Sequence, residues 1–212
     1  MRRMNFLDKV LGGVDQALRT SAGVKPVAGR SYPAATEPHG ELDEGERLEA
    51  IRLMRVNHAG EVAAQALYSG QAMGARAPEV TDALNEAAEE EIDHLAWCIE
   101  RLDELGGDVS RLGPLWYLGS FAIGAAAGRA GDPWSLGFVA ETEYQVGAHL
   151  QRHLARLPAQ DHRSRAILTT MLDDELRHAS NAESQGGRPL PLPVRQLMQL
   201  TSKFMTTGAR WI

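Results

Sequence analysis

Four glutamates and two histidines stand where apolar side chains are expected. Leu84, Ala88, Leu95, Cys98, Leu102 and Leu105 recur at alternating spacings of four and three, the period of a helix face packed on other helices. Glu91 fills the one gap in that row, and His94 follows a turn later. The same oddity occurs three more times. Glu61 lies in the row Ile51, Met54, His58, Gln65, Tyr68. Glu143 interrupts Leu136, Val139, Val146, Leu150. Glu175 interrupts Leu168, Met171, Ala182, with His178 one turn on. Two of the four glutamates thus continue as Glu-x-x-His.

The motif alone is weak, but its spacing is not. Glu61 and Glu91 lie equally far from a turn at Arg76, and Glu143 and Glu175 equally far from a turn at Ala159. Helical rise per residue is constant, so a hairpin folded at each turn brings its two glutamates to one height. Packing the hairpins together would aim Glu61, Glu91, His94, Glu143, Glu175 and His178 at one point. Bare carboxylates there would each cost several kcal/mol of lost hydration. They must protonate or find cations. Two divalent ions balance four carboxylates. Carboxylate oxygen with imidazole and no thiolate suits iron or manganese better than copper(I) or structural zinc.

Other polar residues have plainer readings. Glu89, Glu90 and Asp93 lie off the row and are expected on the solvated surface. Glu141, two residues before Glu143, should point away from the seam. His58, His149 and His153 each read first as hydrogen-bonded core histidines. His149 is the best placed of the three to bond a metal ligand from outside or to face a substrate. Cys98 packs.

The elements that must hold these residues are helices, and no strand is convincing. Asp43 with Glu46 opens a first helix that runs to about Met73. Pro78 lies in the first turn of a second, which ends at Gly106-Gly107. The charge-free run 112–128 is broken by Gly113, Pro114, Gly119 and Gly124. It is shorter than the roughly 20 residues that span a bilayer, so it reads as a buried or membrane-surface helix. Asp132-Pro133 opens a helix ending near Pro158. Asp161 caps the next, which ends at Gly186-Gly187. PLPLPV leads into a last amphipathic helix. The expected fold is all-α, a ferritin-like four-helix bundle with additional amphipathic helices. Residues 43–212 form that domain, and residues 1–42 an amphipathic leader (Phe6, Leu7, Val10, Leu11, Val14, Leu18) plus a flexible linker at 20–42.

Composition agrees. In 212 residues, 43% hydrophobic and 24% charged, one core can be buried. A net charge of −6 argues against nucleic acid as a partner. Arg2, Arg3, Lys9, Arg19, Lys25 and Arg30 against Asp8 and Asp15 make the first 30 residues basic, suited to an anionic membrane surface or to a plain basic arm. Asp8 and Lys9 interrupt the only apolar N-terminal stretch, so no signal peptide is expected. The lone Cys98 excludes an internal disulfide.

Taken together, LMRVNHAGEVAAQALYSGQ (53–71), EEEIDHLAWC (89–98), PLWYLGSF (114–121), GDPWSLGFVAETE (131–143), DDELRHAS (173–180) and LPLPVRQLM with SKFMT (190–206) resemble the bacterial demethoxyubiquinone hydroxylases. The likeness runs from about residue 43 to the end, and only the closing ARWI departs from the family's aromatic-rich terminus. It implies a dioxygen-dependent di-iron monooxygenase that hydroxylates the ring of demethoxyubiquinone or its quinol in ubiquinone biosynthesis. It implies that Glu61, Glu91 and His94 hold one iron and Glu143, Glu175 and His178 the other, with Glu91 and Glu175 bridging. It further implies an isoprenoid quinone substrate, peripheral attachment to the cytoplasmic side of the bacterial cell membrane, and contacts with a second copy or with other ubiquinone-biosynthesis proteins. Trp116, Tyr117 and the segment to Gly128, the leader and the last helix are the expected membrane contacts. Two alternatives stand beside it: a ferritin-like iron-oxidising or peroxide-handling protein, and a non-enzymatic membrane-binding helical adaptor.

Overall fold

The computed structural model describes residues 24–212. Its helices begin and end where the local chemistry places them. α1 (Glu44–Gly74) starts at a capping box: Asp43 accepts from the Glu46 amide at 2.9 Å, and the Asp43 amide donates to Glu46 at 3.0 Å. α2 (Pro78–Leu105) carries proline in its first turn and stops at Gly106, whose φ of 68° suits only a residue without Cβ. α3 (Gly113–Arg129) lies in the crossover, and α4 (Asp132–Arg156) follows it directly. The Asp132 carboxylate accepts from the amides of Arg76 and Ala77 at 3.0 and 2.9 Å, pinning the α1/α2 turn to the start of α4. Asp161 caps α5 (His162–Ser184) through the Ser164 amide. α6 (Leu192–Ala209) closes the chain.

The hairpins α1/α2 and α4/α5 pack together as the four-helix bundle. One apolar cluster holds Met54, Trp97, Cys98, Leu150, Leu168 and Met171. A second holds Tyr68, Leu84, Leu136, Val139 and Ala182. In each row the glutamate falls between residues of the two clusters, so a polar layer divides the core.

α3 packs along α1 through Trp116, Tyr117 and Phe121 against Val56, Ala59, Val62 and Ala66, so the two aromatics expected at a membrane are buried instead. Around Gly124 and Gly70 the two backbones nearly touch. A Cβ on Gly124 would come within 2.2 Å of the Leu67 carbonyl oxygen, and one on Gly70 within 2.4 Å of the Phe121 carbonyl oxygen. The opposite side of α3 exposes Leu115, Leu118 and Ile123, and α6 exposes Leu192, Leu197, Leu200 and Phe204. No helix among the described residues is long and apolar enough to cross a membrane.

Residues 24–42 lack regular structure, as their composition implies, but they do not hang free. Arg163 donates to the Glu37 carbonyl at 2.9 Å, Ala34 is fully buried, and Arg30 pairs with Asp93 at 2.6 Å and Asp174 at 2.8 Å. This strap covers a flank of α2 that the sequence assigns to solvent. Asp93 is therefore buried, and Glu90 is partly buried against Arg177 of α5, while Glu89 is exposed as expected. The leader stripe Phe6 to Leu18 lies outside the described residues.

Candidate metal centre

The six residues singled out by spacing converge. Ligand atoms of Glu61, Glu91, His94 and Glu175 lie within 4.8 Å of one another, and so do those of Glu91, Glu143, Glu175 and His178. Glu91 and Glu175 belong to both groups, so the layer is two overlapping four-donor sites. All six side chains are buried. His94 directs Nδ1 inward, 3.0 Å from Glu91, 3.4 Å from Glu175 and 3.5 Å from Glu61. His178 Nδ1 lies 3.4 Å from Glu175 and 3.7 Å from Glu91.

The outward nitrogens explain that orientation. His94 Nε2 donates to Asp174 at 3.0 Å, and His178 Nε2 to Glu90 at 2.6 Å. A carboxylate on the outer nitrogen fixes the tautomer and leaves the inner lone pair for a metal. Arg177 joins the two carboxylates, donating to Glu90 and to Asp174 at 2.8 Å each.

The interior is electrostatically unfinished. Among the described residues, Glu91 Oε1, both oxygens of Glu143, both of Glu175 and His178 Nδ1 are buried without a hydrogen-bond partner. Burial, then the Glu175 and Glu61 charges, raise Glu91 well above the usual carboxylate range. Burial and Glu175 do the same to Glu143. Burial opposes ionisation of Glu175 too, but the imidazoles of His178 and His94, each 3.4 Å away, outweigh it and hold that carboxyl low. Burial would lower His178, yet Glu175, Glu91 and Glu90 raise it to about 9, and His94 is raised by Glu91 and Asp174 in the same way. Unpaired oxygens facing two inward imidazoles form a donor set that two divalent cations complete, and the cluster and fold are compatible with di-iron.

These shifts predict the pH dependence of the metal-free chain. Unfolded histidine titrates near 6.5. Above that pH the folded chain binds more protons than the unfolded chain through His94 and His178, so stability falls as pH rises towards about 9. His149, lowered to about 4 by burial and by Arg152 and Arg156, and His58, lowered to about 4 by burial, act oppositely below 6.5. Melting of the metal-free chain is expected to be highest near neutrality and to drop by pH 9. Loading with ferrous ion under argon is expected to flatten the alkaline side. A metal-free melt that rises steadily to pH 9 would contradict the protonated cluster.

The remaining histidines stay outside. His153 bonds Asn57 at 2.8 Å, as the plain reading expects. His149 lies tilted against His153 with ring centres 3.9 Å apart, and no hydrogen bond joins it to the six, so its candidacy as an outer partner gains no support. His58 is buried without a hydrogen bond against a separate cavity of about 540 Å³, with Val27, Leu95 and Asp103. Glu141 accepts from Gln145 and Arg195 at 2.7 Å each and faces α6, away from the layer. The sequence places Glu90 on the solvated surface and Arg30 in a basic arm, and gives Asp174 and Arg177 no role, whereas all four lie in the shell around the layer. Their one signal is adjacency: Asp174 and Arg177 flank Glu175 and His178, and Glu90 precedes Glu91.

Residues 49–209 match the family model described as ubiquinone biosynthesis protein COQ7. The chain belongs to the COQ7 family. A 3-demethoxyubiquinol 3-hydroxylase of Nitrosococcus oceani is 55% identical over 211 residues, covering 100% of this chain and 99% of the relative. Proteins of that name from Bordetella parapertussis and Variovorax paradoxus are 54% and 55% identical, covering 100% and 97% of this chain and 95% and 98% of theirs. Among solved structures, a dodecameric thioferritin, the bacterioferritin-related protein of Bacteroides fragilis, superposes with a TM-score of 0.55 at 16% identity, covering 73% of this COQ7-family chain and 89% of that one. That likeness places the bundle in the ferritin-like class.

Proposed function

We propose that this chain is a di-iron 3-demethoxyubiquinol 3-hydroxylase. The observation that carries the reading is the pair of overlapping Glu/His groups sharing Glu91 and Glu175, in a chain 52–55% identical to hydroxylases of that name. Glu61 and His94 would hold one iron and Glu143 and His178 the other, with Glu91 and Glu175 available to both. When bound, an iron pair would supply dioxygen activation using two electrons from an external reductant, one oxygen atom entering the quinol ring and the other leaving as water.

The chain's own part is to position the ring and keep water away. An apolar cavity of about 240 Å³ opens between α1, α3, α4 and α6. Gly60 and Thr142, the neighbours of Glu61 and Glu143, line it, as do Leu67, Phe138 and Val146. Ile123 and Leu197 line it and are also exposed, so its mouth lies within the apolar surface of α3 and α6. This arrangement supports an isoprenoid tail leaving towards a lipid surface while the ring lies beside the metal layer. The same surface supports peripheral attachment to a membrane, which this reading assigns to the cytoplasmic face of the bacterial cell membrane.

The deciding assay gives iron-loaded protein a short-tailed demethoxyquinol, reductant and dioxygen. Hydroxylated quinol is the expected product. Iron oxidation with the quinol unchanged would favour the ferritin-like alternative, and less than one iron or manganese per chain the adaptor. A finer test uses Gly60, where an added Cβ meets nothing within 4 Å. Gly60→Leu is expected to fill the cavity, leave metal content intact and stabilise α1 by about 0.5–1 kcal/mol. The KM for quinol should rise about tenfold or more, the loss of roughly 1.4 kcal/mol of binding. An unchanged KM would show that the quinol binds elsewhere.

A further inference from the structure

We infer that Arg30, on the N-terminal strap, is a positioning residue for the metal centre, acting on the His94 half and not on the His178 half. Arg30 Nε donates to Asp93 at 2.6 Å, and Nη1 donates at 2.8 Å to Asp174 Oδ2, the oxygen that also accepts from His94 Nε2. The guanidinium carbon lies 4.7 Å above the Trp97 ring, whose centre is 5.4 Å from that of His94. The Gly29 amide, bonded to Asp93 at 2.6 Å, holds the strap in register. Arg30 thus reaches His94 by two routes, through the carboxylate on its outer nitrogen and through the indole against its ring.

Among the described residues Arg30 makes no contact with the other half, and Arg177, which spans Glu90 and Asp174, serves both. Among the described residues, the cation on Glu90, the carboxylate behind His178, is Arg177 of α5. A planar fork can join Asp93 and Asp174 at once, which a single ammonium point charge cannot. The strap therefore completes one of the two metal positions, although its residues lie 63 and 144 positions from their partners.

This inference rests on the six-residue metal reading, and titration of the metal-free protein with cobalt(II) separates the two. The wild-type chain should take up two equivalents with a visible ligand-field spectrum. Arg30→Ala should keep one equivalent at wild-type affinity and weaken the other about ten- to a hundredfold, the cost usual for losing an outer partner of a ligating histidine. The cobalt spectrum should change while helicity stays the same. Lys25→Ala removes the strap's other ion pair, to Glu100 at 2.9 Å, without touching Asp174, and should leave both equivalents as they are. Two wild-type equivalents in Arg30→Ala overturn the inference alone. Equal weakening of both, or the same loss in Lys25→Ala, reduces Arg30 to a structural clip and overturns it too. A wild-type chain that binds less than one equivalent overturns both this inference and the metal reading.

Discussion

Glu175→Ala is expected to strip metal from both positions and to lower quinol hydroxylation by roughly a thousandfold or more, the scale of several kcal/mol of metal-supplied stabilisation. Glu175 belongs to both four-donor groups, so its loss leaves each cation three protein donors instead of four. It also removes the carboxylate that both His94 and His178 approach at 3.4 Å. Glu141→Ala is the informative partner. Glu141 is equally a buried glutamate, two residues from Glu143, yet it bonds Gln145 and Arg195 and touches neither group. It should retain two metal ions and near-normal turnover, at the cost of a looser α6. Metal analysis, circular dichroism and the hydroxylation assay on both variants check the pair. If Glu141→Ala lost metal and Glu175→Ala kept it, the inward and outward faces of α4 and α5 would be assigned the wrong way round.

The six residues were legible because each is a local anomaly with a geometric echo. A glutamate in an apolar row is visible within one helix, and equal distances from the turns at Arg76 and Ala159 tie four such rows to one height. Helix ends were legible for a similar reason: Asp43, Pro78, Gly106 and Asp161 act on backbone groups only a few residues away.

What the sequence hid depends on partners far along the chain. Asp93 and Glu90 look like surface residues because a helix does not announce what covers its flank. The strap and α5 do that covering, with Arg30 and Arg177. Residues 24–42 look like a free linker because irregular backbone leaves no periodic trace, and their fastening rests on a few side-chain bonds to distant residues, Asp93, Asp174 and Arg163. The role of α3 was half legible. Its lack of charge was plain, but one of the glycines that break its apolar run, Gly124, is also what lets it lie against α1.

That close approach sets the second large effect. Gly124→Ala adds one methyl group, and its position lies 2.2 Å from the Leu67 carbonyl oxygen and 2.9 Å from the Leu67 Cα. Both obstacles are backbone, so no rotamer change relieves them, and α3 must move off α1. Alanine is the better helix former by about 1 kcal/mol, yet overpacking against rigid backbone costs up to about 3 kcal/mol or more. The clash should therefore win, and the melting temperature should fall by several degrees, at about 2–4 °C per kcal/mol for a chain of this size. Gly119, on the same helix, has nothing within 4 Å of an added Cβ. Gly119→Ala should raise stability by about 0.5–1 kcal/mol. The same chemical change on one helix is thus expected to have opposite signs, set only by what stands opposite. A displaced α3 would also open one wall of the quinol cavity, because Ser120 and Ile123 line it from α3 and Leu67 from α1. Gly124→Ala should accordingly lose affinity for quinol before it loses metal, since none of the six metal residues lies on α3. If both glycine variants were stabilised alike, the backbone contact between α1 and α3 would not exist in solution, and the cavity would need a different wall.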